Sequence, residues 1–240
     1  MDEERTGGMT TVEVVPIETP GLGDRSYLIH DGQCGAVIDP QRDIDRVLDI
    51  AKTAGVRITH VAETHVHNDY VSGGLELVRT TGTSYLVAGD DEVAYERRPV
   101  SDGDMVEVGG FSLRVFATPG HTAHHLSYVA LVDETPVAVF TGGSLLYGTV
   151  GRTDLVDDAS TDELTHAQYR SARRLVAGLP DDVAVWPTHG FGSFCSSAKS
   201  SGATTSTIGV EARTNLALTV EDEDTFVARL LDGLTAYPRY

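Results

Sequence analysis

The feature that most constrains this 240-residue chain is a histidine-rich run, Thr64-His65-Val66-His67-Asn68-Asp69-Tyr70. A mostly apolar stretch at 56–62, typical of a buried strand, precedes it, and Gly73-Gly74 opens a segment with the apolar spacing of a helix. Two imidazoles and a carboxylate at alternate positions just past a strand can point into one pocket. The sequence therefore predicts a metal site at the end of this strand.

The rest of the chain mixes strand patterns with helical patterns, which predicts an α+β fold. Strands are predicted at 11–18, 26–30, 34–38, 56–62, 84–88, 105–108, 111–117, 126–132, 136–140 and 183–186. Helices are predicted from a cap at Asp43 to Gly55, from 75 to about 82, from a Ser160/Glu163 capping box to about 177, and from about 210 to 234. Residues 90–98 are predicted as a short helix or loop, and 192–209 as a long loop. Two mixed sheets with helices on their outer faces accommodate this order in a single domain spanning 1–240.

The composition excludes several classes of partner. A net charge of −18 argues against binding to nucleic acid and to an anionic membrane surface. No run of 18 apolar residues is present, and the acidic start lacks the apolar region of a signal peptide. Two cysteines, Cys34 and Cys195, are too few for a disulfide framework. We therefore expect a cytoplasmic protein with reduced thiols.

Four of the nine histidines share one local context. Each follows a predicted strand and lies near Thr, Pro or Gly, where loops gather at one end of the sheets: His65, His67, His121 and His189. We predict that these four are metal ligands, with His121 joining His65 and His67, and imidazole ligands suit zinc or iron. Asp69 is either a ligand of a second ion or a partner that fixes an imidazole tautomer.

Other residues are candidates for contact with a substrate. Arg152 can pair with a substrate carboxylate, although a salt bridge within its loop is the alternative. Tyr70 and Tyr147 are candidate hydroxyl donors, with a core position as the alternative. His124 or His125 is expected to face the pocket as a donor, and solvent exposure is the alternative for either. Cys195 is more typical of a small buried residue than of a persulfide carrier.

Four successive motifs resemble those of the metallo-β-lactamase superfamily, in order and in spacing. They are His65-x-His67-x-Asp69, Gly120-His121-Thr122, Phe140-Thr141-Gly142 and Thr188-His189-Gly190. The resemblance covers nearly the whole chain. It implies a four-layer αββα sandwich with the site at one edge, between the two sheets.

The segment 148–154, Gly-Thr-Val-Gly-Arg-Thr-Asp, is similar to the persulfide dioxygenase branch of that superfamily, which includes members fused to rhodanese domains. This resemblance implies one Fe(II) and O₂, and the oxidation of a glutathione-type persulfide to sulfite and free thiol. It places the iron on His65, His121 and an aspartate directly after Gly142. We also expect catalytic roles for Asp69, Tyr70 and Arg152, and substrate contacts from Arg152, Tyr147 and His125.

Two positions depart from the family pattern. Tyr70 stands where a histidine usually binds a second metal, which favours a mononuclear site over a dinuclear zinc hydrolase. Gly143 stands where the aspartate is expected, so a triad of two histidines and one carboxylate lacks its carboxylate. The remaining His65, His67 and His121 then resemble a neutral three-histidine site, with Zn(II) as the alternative to one Fe(II).

The sequence leaves three hypotheses. The leading one is a persulfide dioxygenase that acts on a small anionic thiol persulfide and O₂. The second is a zinc hydrolase of thioesters like glyoxalase II, and the third is a non-catalytic metal- or sulfur-binding module. No rhodanese domain is recognised in the chain, and a rhodanese-type partner and a homodimer are both compatible with the resemblance.

Overall fold

Two six-stranded sheets form the centre of the protein, in a computed structural model that describes residues 11–190, 192–197 and 202–234. The first sheet has the order β1 (Glu13–Thr19), β2 (Asp24–His30), β3 (Cys34–Ile38), β4 (Arg57–Ala62), β5 (Ser84–Ala88) and β6 (Arg98–Val100). The second has the order β12 (Ser206–Thr207), β11 (Ala184–Pro187), β10 (Thr135–Gly142), β9 (Leu126–Val132), β8 (Ser112–Ala117) and β7 (Met105–Glu107). The helices are α1 (Asp45–Ala54), α2 (Gly74–Thr81), α3 (Thr161–Gly178), α4 (Ile208–Thr214), α5 (Leu216–Thr219) and α6 (Glu223–Gly233).

Both sheets are mixed, as the sequence predicts. In the first sheet β1, β2 and β3 pair antiparallel, whereas β3, β4, β5 and β6 pair parallel. In the second sheet the pair of β10 with β11 is parallel and the other pairs are antiparallel. Parallel neighbours need a crossover connection, and α1 and α2 supply it between β3, β4 and β5.

The alternation of side chains along the strands creates four layers. Tyr27 and Ile29 of β2 point into the core between the two sheets, while Leu28 packs on the opposite face with Val47 of α1. On the outer face of the second sheet, Val129 packs with residues of α3, α5 and α6. The chain therefore forms the predicted αββα sandwich, in which each sheet is covered on one face by helices. None of the helices in the described residues is long and apolar enough to cross a membrane.

Hydrogen bonds between the sheets fix the strand ends that carry the histidines. The Tyr27 hydroxyl donates to the carbonyl of Pro187 at 2.5 Å, and the Tyr128 hydroxyl donates to the carbonyl of Glu63 at 2.9 Å. The Arg25 amide donates to the carbonyl of Thr188 at 2.9 Å. The ends of β4 and β11 are thereby held side by side at one edge of the sandwich.

Two edge strands were not predicted. β6 follows the turns of 90–97 and includes Pro99, which an edge strand tolerates because one side of it needs no amide donors. β12 falls within the predicted loop 192–209, and α4 begins at Ile208, so the irregular segment ends earlier than predicted. Residues 198–201 of that segment lie outside the described residues. β7 is equally short, but it was predicted together with β8 around the turn at Gly109-Gly110, a local signal that β6 and β12 lack.

The two predicted helix caps were wrong. Ser160 precedes α3, but its hydroxyl donates to Oδ1 of Asp157 at 2.9 Å and makes no capping bond to the helix. Asp43 pairs with Arg46 at 3.1 Å, and α1 begins after Ile44 without a side-chain cap. In both cases a nearer polar partner competes for the side chain that the sequence pattern assigned to the helix.

Candidate metal centre

Three histidines from three different loops meet at this edge of the sandwich. His65 follows β4 of the first sheet, His121 lies between β8 and β9, and His189 follows β11 of the second sheet. Their ring centroids are 4.8 Å apart for His65 and His121, 5.2 Å for His65 and His189, and 5.1 Å for His121 and His189. One potential ligand atom of each lies within 4.8 Å of the others, and all three residues are buried. We call this set the imidazole cluster.

The hydrogen bonds of His65 and His121 determine which ring nitrogen carries the proton. Thr64 donates its hydroxyl proton to Oδ2 of Asp39 at 2.7 Å, so it accepts from Nδ1 of His65 at 2.9 Å. Nδ1 of His121 lies 2.7 Å from the carbonyl oxygen of Arg152, which can only accept. Both histidines therefore carry the proton on Nδ1 and keep a lone pair on Nε2.

His189 also donates from Nδ1. This nitrogen donates to Oδ1 of Asp24 at 2.9 Å, in a pair whose side chains are fully buried. Its Nε2 faces Nε2 of His65 at 3.3 Å. A buried carboxylate that orients an imidazole in this way is the usual outer partner of a metal-binding histidine.

The imidazole cluster fits a metal ion. Nε2 of His121 is buried without a hydrogen-bond partner, and the Nε2 atoms of His65 and His189 lie 3.3 Å apart beside it. Burial, followed by the neighbouring His189, lowers the pKa of His121 to about 3, and burial holds the pKa of His65 well below its usual range. Unsatisfied buried acceptors are costly, and a cation shared by the three lone pairs removes that cost. Imidazole nitrogen suits zinc, iron and copper.

His67 does not join these three, contrary to the predicted set of His65, His67 and His121. Its Nε2 lies 3.3 Å from Oδ1 of Asp39 and 3.4 Å from Oε2 of Glu63, and its side chain is 1% exposed. Burial disfavours the charged imidazolium, but the two carboxylates outweigh burial and raise the pKa of His67 to about 10. His67 is therefore a buried cation in an acidic cluster of Asp39, Glu63 and His67, next to the imidazole cluster.

Tyr70 belongs to the same acidic cluster. Its hydroxyl lies 3.0 Å from Nε2 of His67 and donates to the carbonyl of Asp39 at 3.3 Å. The ring stacks on His67 with a centroid distance of 4.3 Å. These contacts occupy the hydroxyl that the sequence offered as a catalytic donor.

Asp69 lies beside the imidazole cluster. Its Oδ2 is 3.5 Å from Nδ1 of His189, and its Oδ1 is 3.9 Å from Nδ1 of His67. The Cys195 thiol donates to Oδ2 of Asp69 at 3.4 Å and is itself buried. The contact with the protonated nitrogen of His189 corresponds to the predicted role as a partner of an imidazole. Asp69, His67 and His189 also form a second group of closely spaced ligand atoms.

Three predicted substrate contacts are occupied within the protein. Arg152 is 3% exposed and forms two bonds with Asp154, at 2.7 and 2.8 Å, which is the salt bridge named as its alternative. The Tyr147 hydroxyl donates to the carbonyl of Val185 at 2.9 Å within the core. His125 is fully buried, with Nδ1 bonded to Thr118 and Nε2 to the Gly143 amide. Buried polar side chains are satisfied first by the protein itself, which explains these three corrections.

Four site residues were not identified from the sequence. Asp24 orients His189, Thr64 orients His65, and Asp39 with Glu63 forms the partner of His67. Asp24 is the first of three polar residues that open the buried strand β2, so the local pattern does not single it out.

Comparison with known proteins agrees with this architecture. The sequence profile of the Metallo-beta-lactamase superfamily matches residues 19–189, and the chain belongs to that superfamily. A hydroxyacylglutathione hydrolase of Rhodopseudomonas palustris (strain HaA2) is 32% identical over 183 residues, which are 74% of this chain and 66% of the relative. A second hydroxyacylglutathione hydrolase, from Maricaulis maris (strain MCS10), is 31% identical and is also covered over 66% of its length. The chain thus spans slightly less than two thirds of the length of these relatives.

Solved structures show the same fold over a larger share of the chain. A metallo-beta-lactamase from Staphylococcus aureus subsp. aureus COL superposes with a TM-score of 0.85 at 30% identity, covering 95% of this chain and 69% of that one. ETHE1 from Myxococcus xanthus superposes with a TM-score of 0.78 at 28% identity, covering 94% and 93%.

Proposed function

We propose that this protein is a mononuclear metal enzyme that oxidises a low-molecular-weight thiol persulfide with O₂. The observation that carries the proposal is that the two histidine sets have different partners. Three neutral imidazoles converge, whereas His67 and Tyr70, which stand in the motif that would complete a two-metal site, are engaged by Asp39 and Glu63. One ion with open positions is the arrangement that a reaction between two small molecules requires.

The proposed reaction converts a persulfide, O₂ and water to a thiol, sulfite and two protons. The terminal sulfur loses four electrons, which O₂ takes up, and the sulfur–sulfur bond breaks with the thiol as leaving group. When bound, Fe(II) would supply adjacent binding positions for sulfur and O₂ and the redox chemistry between them. His65, His121 and His189 would hold the ion.

The surrounding residues orient the ligand histidines and exclude water from the site. Asp24 and the Arg152 carbonyl orient two of the rings, and the burial of all three rings excludes bulk water. Three neutral ligands leave both charges of a divalent ion uncompensated, so an anionic persulfide is attracted directly. The charge of the ion would thus attract the substrate in place of Arg152, because the Arg152 guanidinium is held in a salt bridge with Asp154.

The extent of similarity supports this proposal over the alternatives. ETHE1, a persulfide dioxygenase, is matched over 93% of its chain, whereas the hydroxyacylglutathione hydrolases extend well beyond the matched region. A relative that is matched over nearly all of its length offers the better comparison for an active site.

A zinc-dependent thioester hydrolase is the second candidate. Three histidines are an established ligand set for catalytic zinc, which lowers the pKa of a bound water to about 7. The names of the curated relatives also favour this activity. The missing carboxylate at position 143 weakens the iron triad more than it weakens a three-histidine zinc site.

A paired assay distinguishes the two activities. Protein is loaded anaerobically with Fe(II) or with Zn(II), and the bound metal is counted before each assay. We expect O₂ uptake and sulfite release from glutathione persulfide by the iron form at a rate well above free Fe(II). Hydrolysis of S-lactoylglutathione by the zinc form, without O₂ uptake by the iron form, would favour the hydrolase. Bound metal with neither activity would favour the non-catalytic module.

A further inference from the structure

Gly143 packs against His121, one of the three histidines of the imidazole cluster. A side chain at position 143 would overlap with the His121 ring. Gly143 lies directly after β10 and is buried. A Cβ atom at this position would stand 2.2 Å from Cδ2 and 2.5 Å from Cγ of His121, far inside the closest approach of real atoms. The backbone at Gly143 is not left-handed, so any residue could adopt it. The space for a side chain is excluded by the His121 ring alone among the nearest atoms.

The His121 ring cannot move aside cheaply. Its Nδ1 donates to the Arg152 carbonyl at 2.7 Å, and the residue is fully buried. Gly151 closes the next side, where a Cβ atom would stand 2.7 Å from Nδ1 of His121 and 2.3 Å from the Gly143 carbonyl oxygen. The Gly151 amide donates to that same carbonyl at 2.8 Å. The His121 ring thus lies in a slot between Gly143 and Gly151, whose backbones are joined by a hydrogen bond.

His125 holds the other side of this slot. The Gly143 amide donates to Nε2 of His125 at 3.0 Å, so Nδ1 of His125 carries the proton and donates to Thr118 at 2.9 Å. The His125 ring stacks on His65 with a centroid distance of 5.0 Å and an interplanar angle of 25°. Gly143 is therefore linked to His121 by packing and to His65 through His125.

We propose that Gly143 is the positioning residue that admits His121 to the imidazole cluster, so that the centre is built for three neutral nitrogens and has no room for a carboxylate from position 143. The inference rests on the proposed metal centre and specifies its ligand set. It assigns His125 a positioning role through Gly143. A neutral ligand set leaves the charge of the ion to be offset from outside the set, which favours an anionic sulfur ligand such as persulfide or thiolate.

The decisive experiment replaces Gly143 by Asp and by Ala and measures Co(II) and Zn(II) affinity by titration, with the Co(II) absorption spectrum as a second readout. If glycine merely marks a lost ligand, Gly143→Asp will bind metal more tightly than the wild type. We expect the opposite, because either side chain displaces His121: a loss of about 10–100-fold in both variants, as is usual when the support of a ligand is disturbed. Tighter binding by Gly143→Asp, with a changed Co(II) spectrum, would overturn the proposal.

A control separates this effect from a general cost of replacing glycine. Gly21 has no atom within 4 Å of the position that a Cβ would occupy and no left-handed backbone, so Gly21→Ala should leave both metal affinity and Tm unchanged. Equal losses in Gly21→Ala and Gly143→Ala would contradict the assignment of the effect to the His121 slot.

A double variant tests the contact itself, even if Gly143→Ala folds poorly. Overpacking of this kind is expected to lower Tm by about 5–10 °C. In a His121→Ala background the ring is absent, so adding Gly143→Ala should lower Tm by much less. An undiminished loss in that background would overturn the proposal. A wild-type protein that binds no metal would instead refute the proposed function, while this stability comparison would still test the contact.

Two variants of His125 test the linkage to Gly143. His125→Leu leaves the buried Gly143 amide without an acceptor, whereas His125→Gln can keep one. We expect metal affinity to fall in His125→Leu and to recover in part in His125→Gln. Equal affinities in the two variants would contradict a positioning role for the hydrogen bond.

Discussion

Two buried groups of histidine lie side by side at this edge of the sandwich, and they behave in opposite ways. In the imidazole cluster, neutral rings donate from Nδ1 to Asp24, Thr64 and the Arg152 carbonyl, and their Nε2 lone pairs converge. In the acidic cluster, His67 lies between two carboxylates that keep it protonated. The two sets start from the same short motif, since His65 and His67 are separated by one residue. His67 and His189 differ in the nitrogen that the carboxylates contact: Asp39 and Glu63 both contact Nε2 of His67, whereas Asp24 contacts Nδ1 of His189 and leaves its Nε2 to the cluster.

The largest expected effect comes from removing the cation of the acidic cluster. His67→Leu leaves Asp39 and Glu63 buried without a positive partner, which should lower the free energy of unfolding by about 3–5 kcal/mol. Urea denaturation of the metal-free protein measures this effect. His30→Leu is a matched control, because His30 is buried but its one carboxylate neighbour, Glu13, is largely exposed at 3.9 Å. A similar loss in both variants would show that the charge of His67 is not the cause.

The second largest expected effect comes from removing one histidine of the imidazole cluster. His65→Ala removes one of three converging nitrogens, and we expect metal affinity to fall by more than about 100-fold, beyond the usual loss for an outer partner. His67→Leu should keep its affinity within about tenfold, since Nε2 of His67 is already engaged by Asp39 and Glu63. Calorimetric titration with Zn(II) compares the two variants. A larger loss in His67→Leu than in His65→Ala would reverse the assignment of the two groups.

The two groups also predict opposite slopes in the pH dependence of stability. His121 has a folded-state pKa of about 3, below its unfolded value of about 6.5, so the metal-free protein should lose stability as pH falls from about 6.5 towards 3. His67 has a folded-state pKa of about 10, so its contribution is complete below about 6.5 and is lost as pH rises towards 10. Urea denaturation midpoints measured across this pH range should fall on both sides, towards acid pH (the acid flank) and towards alkaline pH. His121→Gln should flatten the acid flank only, and an unchanged acid flank would contradict this origin.

The smallest effect concerns Tyr70. Tyr70→Phe removes the hydroxyl that contacts His67 and the Asp39 carbonyl, at a cost of about 0.5–1.5 kcal/mol in the free energy of unfolding. Metal affinity should remain the same, because the hydroxyl belongs to the acidic cluster. Titration of the variant measures this directly, and a tenfold weaker affinity would place Tyr70 in the metal site instead.

The sequence predicted most of the fold, because most of the strands leave clear local patterns, and it predicted that four histidines lie at one edge of the sheets. It did not predict how the histidines divide. Asp39 contacts His67 and Asp24 contacts His189, and these partners are far apart along the chain and come together only in the folded protein. The helix caps failed for a related reason, since Asp157 captures the Ser160 hydroxyl. Local patterns carry no information about such competing partners.

The hydrogen bonds that join the sheets have a consequence for the order of folding. His65 follows a strand of the first sheet, while His121 and His189 belong to the second. Neither sheet alone holds the complete imidazole cluster, and contacts between distant parts of a chain form late because their loop-closure entropy is large. Metal capture should therefore coincide with the docking of the two halves, and a Co(II) signal during refolding would time that final step.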